Sequence, residues 1–189
     1  MENLKYKDIY TQEFLSQFGD HSTCIGELEL NLNEDPSIDV RQIAEILGIE
    51  IEEMIMIDSG KYDSENNKIS VNSIEPECRQ RFTIAHEMGH AILGHEGISY
   101  RSEVLEKYKE TIKKSREVMA NKFAAELLMP RKLLFKVVFT FIYNKGWNNK
   151  SLDLSQVDEI IEECAKKLKV SKISLNYAVK NNEIFVSKS

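Results

Sequence analysis

Apolar positions in this chain recur mostly at helical spacing, interrupted by one stretch with strand character. After Pro36 and Ser37, the residues Val40, Ile43, Ala44 and Leu47 fall at i, i+3, i+4 and i+7 and form one stripe, and Gly48 stands where such a helix stops. Residues 49–57 are rich in β-branched side chains and alternate in their first half, which predicts a strand. A polar turn follows at 63–67, and 68–71 alternate again, so the stretch reads as a β-hairpin or meander. Ser73 and Pro76 then offer start signals for a helix that runs to Leu93, with Gly94 as its stop.

Beyond it, a charged amphipathic stretch from Glu103 leads into a helix that ends near Met129 and is stopped by Pro130. Residues 133–143 are strongly apolar and predict a buried helix. After a polar loop over 146–153, Ser155 can cap a helix whose apolar face is Val157, Ile160, Ile161, Cys164 and Leu168. A short helix over 171–179 closes the chain. At the other end, Leu4, Ile9, Phe14, Leu15 and Phe18 suggest a helix followed by a turn near Gly19 and Asp20, in a segment (1–33) whose purpose the pattern does not disclose. With 189 residues, three prolines and no internal repeat, the chain suits one compact domain with an appended subdomain. The expected division is an N-terminal extension over 1–35, a core over 36–145 and a C-terminal helical subdomain over 146–189 packed on that core.

Charge and cysteine content narrow the partners. A net charge of −6 disfavours direct nucleic-acid binding, which needs clustered Lys and Arg. No apolar run approaches the roughly 18 residues of a membrane span, and residues 1–10 lack a signal-peptide core. Cys24, Cys78 and Cys164 are far apart and form no CxxC pair, which suits reduced thiols. Together these features read as a cytoplasmic protein without a membrane partner.

The chemistry concentrates in His86-Glu87-Met88-Gly89-His90. Residues four apart share one helix face, so His86 and His90 present two imidazoles to one point. Zinc accepts such nitrogens and, in catalytic sites, takes three protein ligands and leaves one position open. Glu87, rotated by roughly 100° from His86, lies beside that point and can take a proton from the attacking water; His-Glu-x-x-His is the zincin signature. Phe82, Ala85, Gly89 and Ile92 form a small apolar face on the same helix. Gly89 costs about 1 kcal/mol of helix propensity relative to Ala, which suggests that another backbone approaches there. Two residues offer a third ligand. His95 is out of register by one with the extended metzincin pattern, which needs Gly at 93 and His at 96. Glu117 lies on the next long helix, with Asn121 one turn further on the same face, where it can hydrogen-bond a ligand histidine.

The stretch Arg79-Gln80-Arg81-Phe82-Thr83-Ile84-Ala85-His86-Glu87-Met88-Gly89-His90, followed by Glu117-x-x-Ala120-Asn121-x-Phe123-Ala124-Ala125-x-Leu127-Leu128-Met129-Pro130, resembles the ImmA/IrrE family of metallo-endopeptidases. The resemblance covers 36–130 closely and the C-terminal helices more loosely. It implies zinc held by His86, His90 and Glu117, with Glu87 as general base. It also implies a bacterial or phage setting and a protein substrate, usually a helix-turn-helix repressor encoded nearby, whose cleavage releases the genes it silences. Some family members carry a fused helix-turn-helix domain, and the rhythm of 165–179 is compatible with one, although two packed helices finishing the peptidase domain explain it as well.

The expected fold is therefore α+β, a zincin-like core of helices packed on a small, mostly antiparallel sheet. The expected activity is peptide-bond hydrolysis of a specific cytoplasmic protein in an antirepressor role, in a phage, a mobile element or a stress response. Two other readings stand beside it: a zinc-bearing regulatory protein that acts by binding alone, and a DNA-binding regulator that uses the C-terminal helices. For stabilising the oxyanion, His95, Tyr100 and Tyr108 are candidates, and none stands out.

Overall fold

The computed structural model describes residues 3–94 and 109–185. Its contacts divide the chain into two units, Met1–Asp39 with Ala125–Ser189, and Val40–Ala124. The grouping follows space rather than chain order, whereas the sequence reading divided the chain at 35 and 145. None of the described helices is long and apolar enough to cross a membrane.

In the first unit, strands β1 (Asn3–Lys5) and β2 (Glu29–Asn31) pair antiparallel, with Leu4 opposite Leu30. Between them the chain forms not one helix but three short ones, α1 (Tyr6–Ile9), α2 (Gln12–Ser16) and α3 (Ser22–Gly26), with a 3₁₀ turn at Gly19–His21. What organises them is an aromatic column. Tyr6, Tyr10, Phe14 and Phe18 are all buried, with successive ring centroids 5.8, 5.0 and 5.7 Å apart. Buried tyrosine hydroxyls need partners. Tyr10 donates to the Leu127 carbonyl at 2.5 Å, and Tyr6 accepts from the Asp39 N–H at 2.9 Å. These two bonds tie the segment to chain more than a hundred residues away in one case and thirty-three in the other.

The same unit holds α7 (Arg131–Asn144), α8 (Leu154–Leu168) and α9 (Lys172–Asn181). Helix α7 starts after Pro130, which fits an N-terminal position because its missing N–H has no acceptor to lose there. It buries Leu133, Leu134, Val137, Val138, Phe141 and Ile142, as its apolar run predicts. Helix α8 is capped by Asp153, not Ser155: Asp153 accepts from the Gln156 N–H, and the Gln156 side chain returns to the Asp153 N–H. This reciprocal capping box satisfies two otherwise orphaned donors, which one serine two residues further on cannot do. Its expected face is buried at Ile160, Ile161, Cys164 and Leu168, and burial pushes the Cys164 thiol up to about 12. Ser171 caps α9 by accepting from the Ser174 N–H.

The second unit opens with α4 (Val40–Ile46), which buries Val40, Ile43 and Ala44 and is followed by a turn through Gly48, whose φ of +68° belongs to the left-handed region glycine enters freely. A three-stranded sheet follows, in the order β3 (Glu50–Met54), β5 (Lys68–Asn72), β4 (Gly60–Asp63). The hairpin is β4–β5, closed by the polar turn, with Tyr62 opposite Ile69. Strand β3 stops at Met54 and pairs parallel with β5, so the stretch is not a simple meander. Helices α5 (Glu77–Ile92) and α6 (Lys109–Leu128) complete the architecture, whose class is α+β. Of the three strand pairings in the described residues, two are antiparallel.

Candidate metal centre

Helix α5 begins directly after Pro76 and ends at Leu93, with Gly94 at φ +63°. It buries Thr83, Ile84, Ala85, Met88 and Gly89 and keeps His86, Glu87 and His90 only half-buried. Phe82, placed by spacing on the buried face, instead lines the cavity beside the histidines.

The helix geometry brings His86 Nε2 and His90 Nε2 to 3.1 Å from one another. Glu117, from α6, places Oε2 3.4 Å from His86 Nε2 and Oε1 3.6 Å from His90 Nε2. Zinc–ligand bonds of 2.0–2.1 Å in a tetrahedron put neighbouring ligand atoms about 3.4 Å apart. The three separations bracket that edge length, and all the candidate ligand atoms lie within 4.8 Å of one another. Asn121 Oδ1 lies 3.1 Å from His86 Nδ1. An amide oxygen only accepts, so Nδ1 is the nitrogen that donates to Asn121, and Nε2 is the one directed at His90 and Glu117. A cation bound among His86 Nε2, the second imidazole nitrogen and the carboxylate oxygen would satisfy all three groups at once. The donor set therefore fits a divalent metal with nitrogen and oxygen preference.

Two close approaches hold these elements together. At Gly89 a methyl group would stand 3.1 Å from Phe123 Cδ1 and 3.2 Å from the Ala120 Cα, so the absent side chain is what lets α6 lie against α5 and bring Glu117 to the histidines. This is the backbone approach that the glycine suggested. At Gly60, in ordinary backbone conformation, a methyl would overlap Thr83 Cγ2 and stand 2.9 Å from the Ser70 carbonyl, so β4 seats on α5 only as glycine.

That seat matters for Glu87. The Tyr62 N–H donates to Glu87 Oε2 at 3.0 Å. Because the Asn72 N–H bonds the Ser59 carbonyl, alternation along the antiparallel ladder turns the N–H and C=O of Gly60 and Tyr62 away from β5. One outward donor thus holds the carboxylate, and Gly60 borders a cavity of about 260 Å³. The cavity is lined by Ser59, Gly60, Arg79, Phe82 and Thr83 together with His86, Glu87, Glu117 and Asn121. Sequence reasoning named the last four and missed Ser59, Gly60, Tyr62 and Arg79; only the neighbourhood of Arg79 to the motif, seven residues ahead on the same face, was available as a signal. His95, Tyr100 and Tyr108 lie outside the described residues.

Two histidines one turn apart on a helix, with a glutamate after the first, make the His-Glu-x-x-His pattern of metallopeptidases, and the Glu117 carboxylate stands beside them. The comparisons with known proteins agree: the chain belongs to the Peptidase M78 family, described as the IrrE N-terminal-like domain, which matches residues 44–180. It is 34% identical over 122 residues to the radiation response metalloprotease IrrE of Deinococcus radiodurans, covering 64% of this chain and 33% of that protein. It is 39% identical over 85 residues to the radiation response metalloprotease IrrE of Deinococcus deserti, covering 43% of this chain and 29% of that protein. The chain thus spans about a third of the length of these curated relatives. Among solved structures, a Mycobacterium tuberculosis transcriptional regulator shares the fold, with a TM-score of 0.52 and 15% identity over 93% of this chain and 50% of that one.

Proposed function

We propose that the protein is a zinc-dependent endopeptidase that cuts a specific cytoplasmic protein, a helix-turn-helix repressor encoded nearby, and so acts as an antirepressor. The observation that carries this reading is the triangle of His86, His90 and Glu117 donor atoms at tetrahedral spacing, with the Glu87 carboxylate held at its margin by a backbone N–H. Bound there, zinc supplies Lewis acidity for the scissile carbonyl and for a water. His86, His90 and Glu117 hold it, and Asn121 orients His86 through Nδ1. Glu87 takes the proton of the attacking water and delivers it to the leaving amine. The outward backbone groups of β4 hold the substrate as an added strand, which positions its main chain and demands an extended or exposed segment. That demand favours limited cutting of a particular partner over general digestion, and the named role of the Deinococcus relatives in a radiation response suits a regulatory substrate.

Co-expression with the nearest-encoded helix-turn-helix repressor tests the proposal, with Glu87→Gln as the control. Discrete repressor fragments are expected with wild type, and Glu87→Gln is expected to retain metal while turnover falls by about 10²–10⁴-fold. Equal relief of repression by both proteins, with no fragment from either, favours action by binding alone.

A further inference from the structure

Among the described residues that line the cavity, Arg79 is the one lysine or arginine, and its position there has no use in the chemistry described above. It precedes His86 by seven residues, so it lies within roughly 20° of the same helix line and about 10 Å further toward the N-terminus of α5. The strand runs alongside: Tyr62 meets Glu87, Gly60 packs at Thr83, and the Ser59 hydroxyl accepts from Arg79 Nη2 at 3.2 Å. A peptide extended along β4 advances about 3.3 Å per residue, so Arg79 stands opposite a substrate residue about three positions from the scissile bond.

The guanidinium is held in place yet left open. Glu75 Oε1 accepts from the Ser59 hydroxyl at 2.8 Å, and its buried Oε2 lies 3.8 Å from Arg79 Nε. Arg79 keeps 57% of its side-chain surface exposed, and of its five N–H donors the contacts with described residues engage Nη2 in one hydrogen bond. A fixed planar fork with free donors is suited to gripping a carboxylate in a bidentate manner. The lining carries both signs of charge, Glu87 and Glu117 together with Arg79, which stands about two turns before the histidines on α5.

Building on the peptidase reading above, we infer that Arg79 is a specificity residue that binds a substrate carboxylate about three residues from the cleaved bond. The carboxylate is an Asp or Glu side chain or the free end of a peptide. Neither source is favoured by the geometry alone, and free-acid and amidated peptides separate them.

The test has two arms. In the first, zinc-loaded wild type, Arg79→Gln and Arg79→Glu are incubated with randomised decapeptides, free-acid or amidated, and the scissile bonds are mapped by mass spectrometry. In the second, peptide pools that contain Asp or Asn are bound to zinc-loaded Glu87→Gln, with and without Arg79→Glu, and read by fluorescence polarisation. Wild type is expected to favour a carboxylate at one fixed distance from the cut by about tenfold. Arg79→Gln abolishes the preference, and Arg79→Glu inverts it toward Lys and Arg, with zinc content and melting temperature retained. If no protein cleaves these peptides but the Asp pool still outbinds the Asn pool in an Arg79-dependent way, Arg79 is established as a carboxylate-binding residue, and the peptidase reading is decided separately by the repressor co-expression above. The absence of any carboxylate preference in both arms, by wild type in cleavage and by Glu87→Gln in binding, overturns the inference. So does an Arg79→Gln that slows all peptides alike with the Asp-to-Asn ratio unchanged, because that is the behaviour of a purely structural arginine.

Discussion

Helices α5 and α8 are nearly the same length, 16 and 15 residues, and are built on opposite terms. Helix α8 follows every local rule: a capping box at Asp153 and Gln156, a left-handed terminal residue at Lys169, lysines in its last turn, and one continuous apolar face. Helix α5 follows few. Pro76 at its start supplies no side-chain cap, a glycine sits in its body, and its solvent-side face carries two histidines, a glutamate and an arginine. It is held by what surrounds it, the sheet at Gly60 and Thr83 and the helix at Gly89 and Ala120. A helix secured from outside is free to spend its surface on chemistry, whereas one secured by its own sequence is not called on to do so.

That contrast can be broken at its strongest point first. Glu117→Ala removes the one proposed ligand that α5 does not supply, so metal content is expected to fall from about one zinc per chain to near zero, whereas His95→Ala is expected to keep it. Metal analysis of the two purified variants decides, and full zinc in Glu117→Ala with loss in His95→Ala reverses the ligand assignment. Gly89→Ala is the next test. It gains about 1 kcal/mol of helix propensity and loses about 1–3 kcal/mol to overpacking against the backbone of Ala120. The expected result is a modest loss of stability in urea and a clear loss of zinc affinity, because the displaced helix carries Glu117. A more stable protein with unchanged affinity would show that the close approach is incidental. Smallest is Asp153→Ala, which costs about 1 kcal/mol through the lost cap and leaves metal affinity untouched. If the two variants shifted zinc binding equally, the distinction between the helices would not hold.

Much of this was legible because it is local. The stripe of α4, the apolar run of α7, the face of α8 and the motif on α5 all depend on residues within a turn or two of each other. Gly89 was readable too, since a mid-helix glycine signals that something else comes close. What escaped depends on distant partners. Strand β4 reads Gly-Lys-Tyr-Asp, four residues with one aromatic side chain and too short a pattern to signal a strand, and becomes one because β5 and α5 take it. The parallel pairing of β3 is a choice of direction that no short window encodes. The aromatic column at Tyr6, Tyr10, Phe14 and Phe18 was seen in part as apolar positions, but the two tyrosine hydroxyls find acceptors and donors far along the chain. At the candidate site His86, Glu87, Glu117 and Asn121 were named from the sequence, whereas Ser59, Arg79 and the backbone contribution of β4 were not.

The bond from the Tyr62 amide to Glu87 illustrates why such a contribution stays hidden from genetics as well. Its donor belongs to the main chain, and every amino acid except proline brings the same N–H to that place. Replacing the Tyr62 side chain removes its own bond to Asn67 but leaves the grip on Glu87 intact. An alanine scan of the strand therefore passes silently over the contact that aims the carboxylate. The information is stored in the alignment of a strand with a helix, and that alignment is written at Gly60, two residues away, where the letter that counts is the one with no side chain.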